Sequence, residues 1–363
     1  MRRHTIAARP DWLSKVESQG LVYAQSYWDE TVYYEFSLAE VETLEEVVAD
    51  LHAMCLQAVD HVIAQDRFAE YGIIDERVKR LIVASREEPA FYGRFDLRYD
   101  GEGHARLLEY NADTPTSLVE AASAQWFWLE ELFPGDDQWN SLHERLVAAW
   151  RKRPLLEKVH FVYTEDDTTG EDFMTTAYLA ETASQAGLRT HVMPIEAIGW
   201  DGLGARFVDD KDSSIEAIFK LYPWEWLVAD RFGGHIKPGH SPVWIEPAWK
   251  MLLSNKALLA ILWELFPGHP NLLPAYLDGP KELAFGYVAK PLLGREGAGI
   301  TINKPAGPGH CYQAFYPLPD FDGRRPVIGA WTVGGEPAGM GIRESTDLIT
   351  DLGARFVPHV IRD

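Results

Sequence analysis

Residues 91–113 read FYGRFDLRYDGEGHARLLEYNAD, and this stretch decides the fold. Apolar and polar residues alternate over 91–99 and again over 105–110, a pattern typical of strands with one buried face. The intervening residues 100–103, Asp-Gly-Glu-Gly, have the composition of a turn. The stretch therefore predicts an antiparallel β-hairpin.

Charged and amide side chains occupy alternate positions of this hairpin. Arg94 and Asp96 share one face of the first strand, and Glu109 and Asn111 share one face of the second. Antiparallel pairing can bring all four together. Carboxylate and amide oxygens suit Mg²⁺, and an arginine can stabilise negative charge in a transition state. A solvated, salt-bridged hairpin face is the alternative interpretation.

A lysine and a glycine-rich loop follow another apolar strand farther along the chain. Lys290 ends that strand, and residues 291–300 read PLLGREGAGI. Glycines allow backbone N–H groups to approach phosphate oxygens closely. The loop lacks the Gly-Lys-Ser/Thr of a Walker A loop, and it leads into a strand, which disfavours a dinucleotide-binding loop. A purely structural hairpin is the alternative.

Two further cations are candidates for binding phosphate. Lys256 lies in the first turn of a helix predicted over 254–266, with Ser254 as its N-cap. The helix dipole disfavours a lysine there unless an anion also binds at the helix start. Arg343 follows the glycine-rich segment 332–341. The alternatives are a surface lysine and a surface ion pair.

The rest of the chain alternates helices and short strands. Ser37 and Glu40 form a capping box at the start of one helix, and Gly187 ends another. Further helices are predicted over 75–85, 117–132, 138–151 and 171–186, and strands over 157–163, 191–194, 215–221, 284–290, 311–317, 326–333 and 338–343. The order of elements predicts a small α/β unit over 155–250 and a mostly antiparallel sheet after 280.

Composition narrows the classes of function. The 363 residues include 55 acidic and 34 basic side chains, a net charge of −21. This excess disfavours nucleic-acid and anionic-membrane partners. Cys55 and Cys311 are too few and too far apart for a zinc site, and we expect buried thiols. With no signal peptide and no stretch near the length of a membrane span, we expect a soluble, cytoplasmic protein.

Two other clusters are better explained without a ligand. Glu165-Asp166-Asp167 follows a predicted strand and could bind a cation, but a solvated acidic loop is the favoured interpretation. Trp126, Phe127 and Trp128 are more typical of a helix core than of a binding surface.

Taken together, the motifs resemble the synthetase part of glutathionylspermidine synthetase, and more closely the stand-alone acid–amine ligases of that family. The matching motifs occur in the family's order over about 91–350. They are Arg94-Phe95-Asp96, Glu109-Tyr110-Asn111-Ala112-Asp113, Glu246-Pro247 with Ser254-Asn255-Lys256-Ala257, Ala289-Lys290-Pro291 with Gly294-Arg295, and Thr332-Val333-Gly334-Gly335 with Arg343.

The resemblance implies an α+β, ATP-grasp fold of the glutathione-synthetase type, in which two lobes enclose ATP beside a small α/β pre-ATP-grasp unit. Residues 1–153 would carry the magnesium and transition-state residues, 154–250 the substrate-side α/β domain, and 251–363 the lid and nucleotide-binding part. The ATP-grasp domain would be discontinuous and shared between the first and last of these.

The resemblance also implies roles for individual residues. Arg94 would be catalytic, steadying the tetrahedral transition state. Mg²⁺ would be held by Asp96, Glu109 and Asn111. ATP would be bound by Lys256, Lys290, Glu296, Gly297, Gln313, Phe315, Tyr316, Arg343, Leu348, Ile349 and Thr350. The acid substrate would meet Asp113, Thr114 and Thr116, where the glutathione-using members carry serines at the threonine positions.

The implied activity is an ATP- and Mg²⁺-dependent carboxylate–amine ligase that forms an amide through an acylphosphate. Its partners would be small molecules, with a peptide or amino acid as the acid and a polyamine or another amine as the acceptor. Two alternatives stay open: a kinase that stops at a phosphorylated product, and a nucleotide-binding regulator without catalysis.

Overall fold

The computed structural model describes residues 1–153, 155–281, 283, 286–295, 297–351 and 353–362. The helices are α1 (Trp12–Ser18), α2 (Ala24–Tyr27), α3 (Leu38–Ala64), α4 (Glu76–Ala84), α5 (Gln125–Leu132), α6 (Leu142–Arg151), α7 (Glu171–Gln185), α8 (Trp224–Leu227), α9 (Met251–Ser254) and α10 (Ala257–Leu265). Short 3₁₀ turns lie at Arg67–Tyr71, Ile195–Ala197, Gly233–His235 and Ala248–Lys250, and a π-helical turn at Glu120–Ala124.

The strands are β1 (Arg2–Thr5), β2 (Val32–Phe36), β3 (Tyr92–Arg98), β4 (Arg106–Asn111), β5 (Lys158–Tyr163), β6 (Arg189–Pro194), β7 (Gly199–Asp201), β8 (Arg206–Val208), β9 (Ala217–Lys220), β10 (Val243–Ile245), β11 (Ala275–Tyr276), β12 (Tyr287–Pro291), β13 (Thr301–Ile302), β14 (His310–Ala314), β15 (Arg325–Val333), β16 (Glu336–Ser345), β17 (Arg355–Val357) and β18 (His359–Ile361). The predicted strand over 284–290 falls partly outside the described residues, as does the predicted nucleotide-binding residue Glu296.

The predicted hairpin is confirmed and forms one edge of a five-stranded antiparallel sheet. The strand order is β17-β16-β15-β3-β4. Arg94 pairs with Asn111 and Asp96 with Glu109. Leu97 then pairs with Leu107, so β4 carries one extra residue, a β-bulge, at this point. The register brings the four side chains of the predicted face side by side.

The predicted α/β unit is a four-stranded parallel sheet in the order β10-β9-β5-β6, covered by α7 and accompanied by the small hairpin β7–β8. Sequence patterns did not predict β10. Gly187 lies in the left-handed region with φ +96° and follows α7, as predicted. Because the strands are parallel, their carboxyl ends meet at one edge of the sheet.

Two further sheets complete the architecture, the first antiparallel and the second mixed, since β18 pairs with β2 in parallel. The order β11-β14-β12-β13 forms a sheet that packs on α10, and its β12–β13 connection contains the glycine-rich loop, residues 294–299. Strands β1, β2 and β18 form the other sheet, which joins the two ends of the described chain.

Helix α3 is a core helix with the predicted capping box. The Ser37 Oγ accepts from the Glu40 backbone N–H at 3.3 Å, and the Glu40 carboxylate accepts from the Ser37 N–H at 2.9 Å. Its length of 27 residues and mean hydropathy of 1.3 would also suit a membrane span, so the expectation that no stretch comes near one was too strong. In this fold its apolar face, including Val48 and Leu51, is buried in the core.

One predicted helix start is corrected, and a second predicted helix contains an irregular turn. The helix predicted over 138–151 begins at Leu142, because Gln138 is buried and donates to the carbonyls of Gln125 and His359. The helix predicted over 117–132 contains the π-helical turn before α5.

The predicted N-cap at Ser254 is wrong. Ser254 is the last residue of α9, and its Oγ accepts from the backbone N–H groups of Ala112 and Asp113 at 3.1 and 2.8 Å. The Asn255 Oδ1 instead accepts from the Ala257 N–H at 2.9 Å at the start of α10. Either residue type can cap a helix. Because the Ser254 hydroxyl binds the backbone of the hairpin, it does not cap α10.

Candidate active site

A cavity of about 670 Å³ opens where the hairpin, the glycine-rich loop and the carboxyl edge of the parallel sheet meet. Every described residue of the predicted site lines it except Asp113. The lining members are Arg94, Asp96, Glu109, Asn111, Thr114, Thr116, Lys256, Lys290, Gly297, Gln313, Phe315, Tyr316, Arg343, Leu348, Ile349 and Thr350.

Arg94 is held in place before any substrate binds. Its Nε donates to Asp96 Oδ1 at 2.7 Å, and its Nη1 donates to the carbonyl of Thr116 at 2.6 Å. Its guanidinium lies 5.7 Å from the centre of the Trp331 ring. A Cβ at position 329 would lie 2.8 Å from Arg94 Cδ, so Gly329 leaves the space that the arginine occupies. The side chain is thus preorganised to stabilise charge.

Three oxygen-bearing side chains form the candidate magnesium ligands. The Asn111 amide donates to Glu109 Oε1 at 3.2 Å and lies 3.4 Å from Asp96 Oδ2. Arg343 donates to the same Asp96 oxygen at 2.7 Å. Two carboxylates and one amide oxygen within a single cluster fit Mg²⁺, which prefers oxygen ligands.

Two lysines flank Glu109. The Lys256 Nζ lies 3.2 Å from Glu109 Oε2 and donates to the carbonyl of Gly294 at 2.7 Å. The Lys290 Nζ donates at 2.8 Å to the carbonyl of Leu108, the residue that the β-bulge leaves unpaired in the β3–β4 ladder. Burial would raise the pKa of Glu109, but Lys256 and Lys290 outweigh it and hold the pKa below its usual range. Burial lowers the pKa of Lys290, and Glu109 opposes that shift.

Arg343 completes the positive charge on this side. Burial acts to lower the pKa of its guanidinium, but Asp96, Tyr27, Glu109 and Glu171 together raise it. We call Arg94, Lys256, Lys290 and Arg343, with the acidic groups Asp96 and Glu109, the cationic side of the cavity. Its basic groups suit an anion such as a phosphate.

The glycine-rich loop closes against residues 348–350. Gly297 has φ +73°, and a Cβ there would lie 2.9 Å from the carbonyl oxygen of Thr350 and 3.2 Å from Ile349. The approach therefore requires glycine. The Thr350 hydroxyl is buried and makes no hydrogen bond within the described ranges. An orphaned hydroxyl beside such a loop fits a bound polar ligand.

The segment 313–316, for which the resemblance implies a hinge that pairs with adenine through its backbone, lies at the end of β14. The Gln313 side chain donates to the carbonyl of Leu107 at 3.0 Å, and the Phe315 N–H donates to the carbonyl of Gly286 at 3.0 Å. Tyr316 packs against Arg98, with 4.8 Å between the guanidinium carbon and the ring centre. The hinge role stays a prediction.

The segment 113–116, here called the acid turn, borders the cavity beside Arg94. The Thr114 Oγ1 accepts from Arg295 at 2.9 Å, and Arg295 also lies over the Trp226 ring at 5.0 Å. Asp113, predicted to contact substrate, lies behind the turn. It is 2% exposed, and its carboxylate binds Lys220. Its position gives no support to a direct substrate contact.

Another part of the cavity lining is acidic and aromatic, and sequence reasoning missed it. Six carboxylates and two aromatic side chains line it. They are Asp166, Asp167, Glu171, Asp172, Glu196 and Glu225, with Tyr222 and Trp226. We call this set the acidic wall. Burial raises the pKa of Glu225, and Asp113 adds to the shift.

The acidic wall follows the carboxyl ends of three parallel strands. Residues 164–172 follow β5, Glu196 follows β6, and residues 221–226 follow β9. The acidic run at 165–167 was interpreted as a solvated loop. The signal that could have corrected this is the parallel order, since ligands bind outside the carboxyl ends of such sheets. Asp167 itself also accepts the N–H groups of Gly170 and Asp172 at 2.9 and 2.8 Å, which fixes the start of α7.

The chain is similar to known proteins over nearly its whole length. A family model described as glutathionylspermidine synthase preATP-grasp matches residues 3–362. A Haemophilus influenzae protein described as "Putative acid--amine ligase" is 40% identical over 393 residues, covering 99% of both chains. The bifunctional glutathionylspermidine synthetase/amidase of Escherichia coli is 28% identical over 390 residues, and the match covers 95% of this chain and 61% of that protein.

A solved structure is similar over nearly the whole chain. It is a glutathione synthetase-like effector from Globodera pallida, with a TM-score of 0.59 and 12% identity, covering 97% of this chain and 96% of the other. This likeness concerns the fold alone. Together with the family match it confirms the predicted glutathione-synthetase-like, ATP-grasp fold class.

Proposed function

The chain belongs to the glutathionylspermidine synthase pre-ATP-grasp family, and we propose that it is an ATP- and Mg²⁺-dependent ligase that joins a carboxylate to an amine. One observation carries the proposal. A single cavity of about 670 Å³ has a cationic side suited to phosphate and an acidic wall suited to a cationic amine, and Arg94 and residues 114–116 line the same cavity.

The cationic side is the proposed site of ATP and Mg²⁺. Bound ATP would supply the phosphoryl group that activates the carboxylate as an acylphosphate, with Mg²⁺ neutralising phosphate oxygens. Asp96, Glu109 and Asn111 are the proposed metal ligands. Lys256 and Lys290, which hold the glycine-rich loop and the bulge carbonyl, orient the phosphates.

Arg94 is the proposed catalytic residue. Three of its nitrogens already donate, two to Asp96 and one to the Thr116 carbonyl, so its guanidinium needs little reorganisation when charge develops. Thr114 and Thr116 line the same cavity and are the proposed contacts of the acid substrate, a peptide or an amino acid.

The acidic wall is the proposed site of the acceptor amine. A primary amine with a pKa near that of lysine, about 10.4, is cationic at neutral pH. Carboxylates attract such a group, and the Tyr222 and Trp226 rings can stack against the charged or apolar parts of its chain. This charge distribution favours a polyamine or another cationic amine over a neutral or acidic acceptor.

The test is a coupled measurement of ADP and amide. The protein is incubated with Mg²⁺-ATP and small peptides or amino acids crossed with mono-, di- and polyamines. ADP is quantified and products are identified by mass spectrometry. We expect one ADP per amide, with cationic amines preferred. ADP with a stable phosphorylated acid and no amide from any pair would instead establish a kinase.

A further inference from the structure

We propose that Lys220 and Asp113 form a positioning pair that joins the two substrate-binding segments of the cavity and couples acyl activation to amine capture. The inference rests on the proposed ligase function, which it extends to two residues outside the cavity lining.

The pair ties together segments that are far apart in sequence. The Lys220 Nζ donates to Asp113 Oδ1 at 2.6 Å across a separation of 107 residues. The other carboxylate oxygen accepts the backbone N–H of Trp224 at 3.0 Å, and the ammonium donates to the carbonyl of Tyr222 at 3.0 Å. Both side chains are buried, with exposed fractions of 0% for Lys220 and 3% for Asp113. The interaction therefore fixes residues 222–224 directly to the start of the acid turn.

Each partner continues into a wall of the cavity. Beyond Asp113, Thr114 lines the cavity and the Thr116 carbonyl receives Arg94 at 2.6 Å. Beyond Lys220, Tyr222 and the α8 residues form the part of the acidic wall that follows β9. Neither Asp113 nor Lys220 lines the cavity. Their contacts with these segments are the route by which they would influence substrates.

An apolar pair of similar volume would not serve this purpose. The Trp224 N–H and the Tyr222 carbonyl are bound by the ion pair, and apolar side chains would leave these polar groups without those partners. For stability alone, a well-packed apolar pair is often as good as a buried ion pair. The choice of charged residues here suits a geometric role.

The cationic side of the cavity is built separately. Lys256 and Lys290 bind Gly294 and Leu108, and Arg343 binds Asp96. None of these contacts passes through Lys220. Loss of the pair should therefore weaken the binding of acid and amine and leave nucleotide binding unchanged. A general loss of stability would instead weaken the binding of all three.

The experiment compares Lys220→Met, the neutral double variant Asp113→Asn/Lys220→Met and the wild-type chain. Lys158→Met is the matched control. Lys158 lies on β5 of the same parallel sheet, and its Nζ lies 3.3 Å from a carboxylate oxygen of Asp209. It does not line the cavity. The measurements are KM for acid and for amine, the ratio of ADP to amide, and the Kd of a non-hydrolysable ATP analogue.

We expect both substrate KM values to rise at least tenfold in Lys220→Met and in the double variant, with more than one ADP released per amide. The Kd of the analogue should change less than twofold, and Lys158→Met should match the wild type. If Lys220→Met does not fold, the double variant gives the same readouts, because it leaves no buried charge unpaired.

Two results would overturn the positioning role: unchanged KM values and coupling in a folded variant, or an equal loss of nucleotide, acid and amine binding. The failure of the proposed function looks different. In that case the wild-type chain itself makes no amide from any pair, whatever the variants do.

Discussion

The two sides of the cavity are built from different kinds of sheet and carry opposite charge. On the cationic side, the antiparallel hairpin holds each carboxylate against a basic group, as Asp96 is held by Arg94 and Arg343. On the acidic wall, carboxylates come from the loops and helix starts that follow parallel strands. The pKa of Glu109 is lowered while that of Glu225 is raised. The cavity lining therefore has two parts of unlike charge, one suited to anions and the other to cations.

Removing the guanidinium of Arg94 should have the largest effect on the reaction rate. Arg94→Met should lower kcat by about 10²–10³, the usual cost of losing one preorganised donor. Substrate KM values should change much less, because Lys256, Lys290 and the acidic wall stay in place. Steady-state amide formation measures both constants.

Arg145→Met is a suitable control, since Arg145 lies on the exposed side of α6 and its Nε donates only to the Ser141 hydroxyl among the described contacts. A wild-type kcat in Arg94→Met would remove Arg94 from the catalytic role.

Neutralising Glu109, one of the two carboxylates of the cationic side, should have an intermediate effect on the reaction. Glu109→Gln should raise the Mg²⁺ concentration that gives half-maximal rate by about tenfold, equivalent to ~1.4 kcal/mol. ATP binding without Mg²⁺ should not weaken, because the change removes a negative charge beside Lys256 and Lys290. A magnesium titration of the rate and an ATP titration in EDTA separate the two effects.

Glu102→Gln, in the exposed hairpin turn, is the control. An unchanged magnesium requirement in Glu109→Gln would show that this carboxylate is not a ligand.

Changing pH should have the smallest effect and should act on one side only. Lowering the pH from 7 to 5 should raise the KM for the amine about two- to fivefold. The raised pKa of Glu225 makes it protonate, and lose its charge, at a higher pH than an ordinary glutamate. The lowered pKa of Glu109 keeps that carboxylate charged over the same range.

The pH profile of the amine KM should be flatter in Glu225→Gln. If the KM for ATP rose in parallel with the KM for the amine, the proposal that the two sides bind these substrates separately would be wrong.

Local patterns predicted the parts of the fold that local forces determine. Alternation and a turn predicted the hairpin that pairs Asp96 with Glu109, and the Ser37–Glu40 spacing predicted the start of α3. The family, the fold class and the ligase class are confirmed by the comparisons. The domain boundaries and the roles of individual residues stay predictions.

Long-range contacts determine the features that local sequence patterns could not predict. Ser254 has the chemistry of a helix cap, but the backbone of the hairpin takes its hydroxyl. Asp113 stands in a motif of the active site, yet a lysine 107 residues away turns its carboxylate inward. Each segment of the acidic wall is by itself an ordinary polar loop or helix start. Only the parallel order of β5, β6 and β9 brings the segments together.

The extra residue in β4 has a consequence for how this hairpin can change over evolutionary time. Side chains alternate between the two faces of a strand, so deleting Tyr110 would turn Asn111 away from the face that carries Glu109. Deleting Leu108 would keep the pairs in register but remove the bulge and the carbonyl that Lys290 binds. A substitution along this strand can be absorbed without turning its neighbours. A change in its length cannot, so insertions and deletions among active relatives should spare residues 106–111.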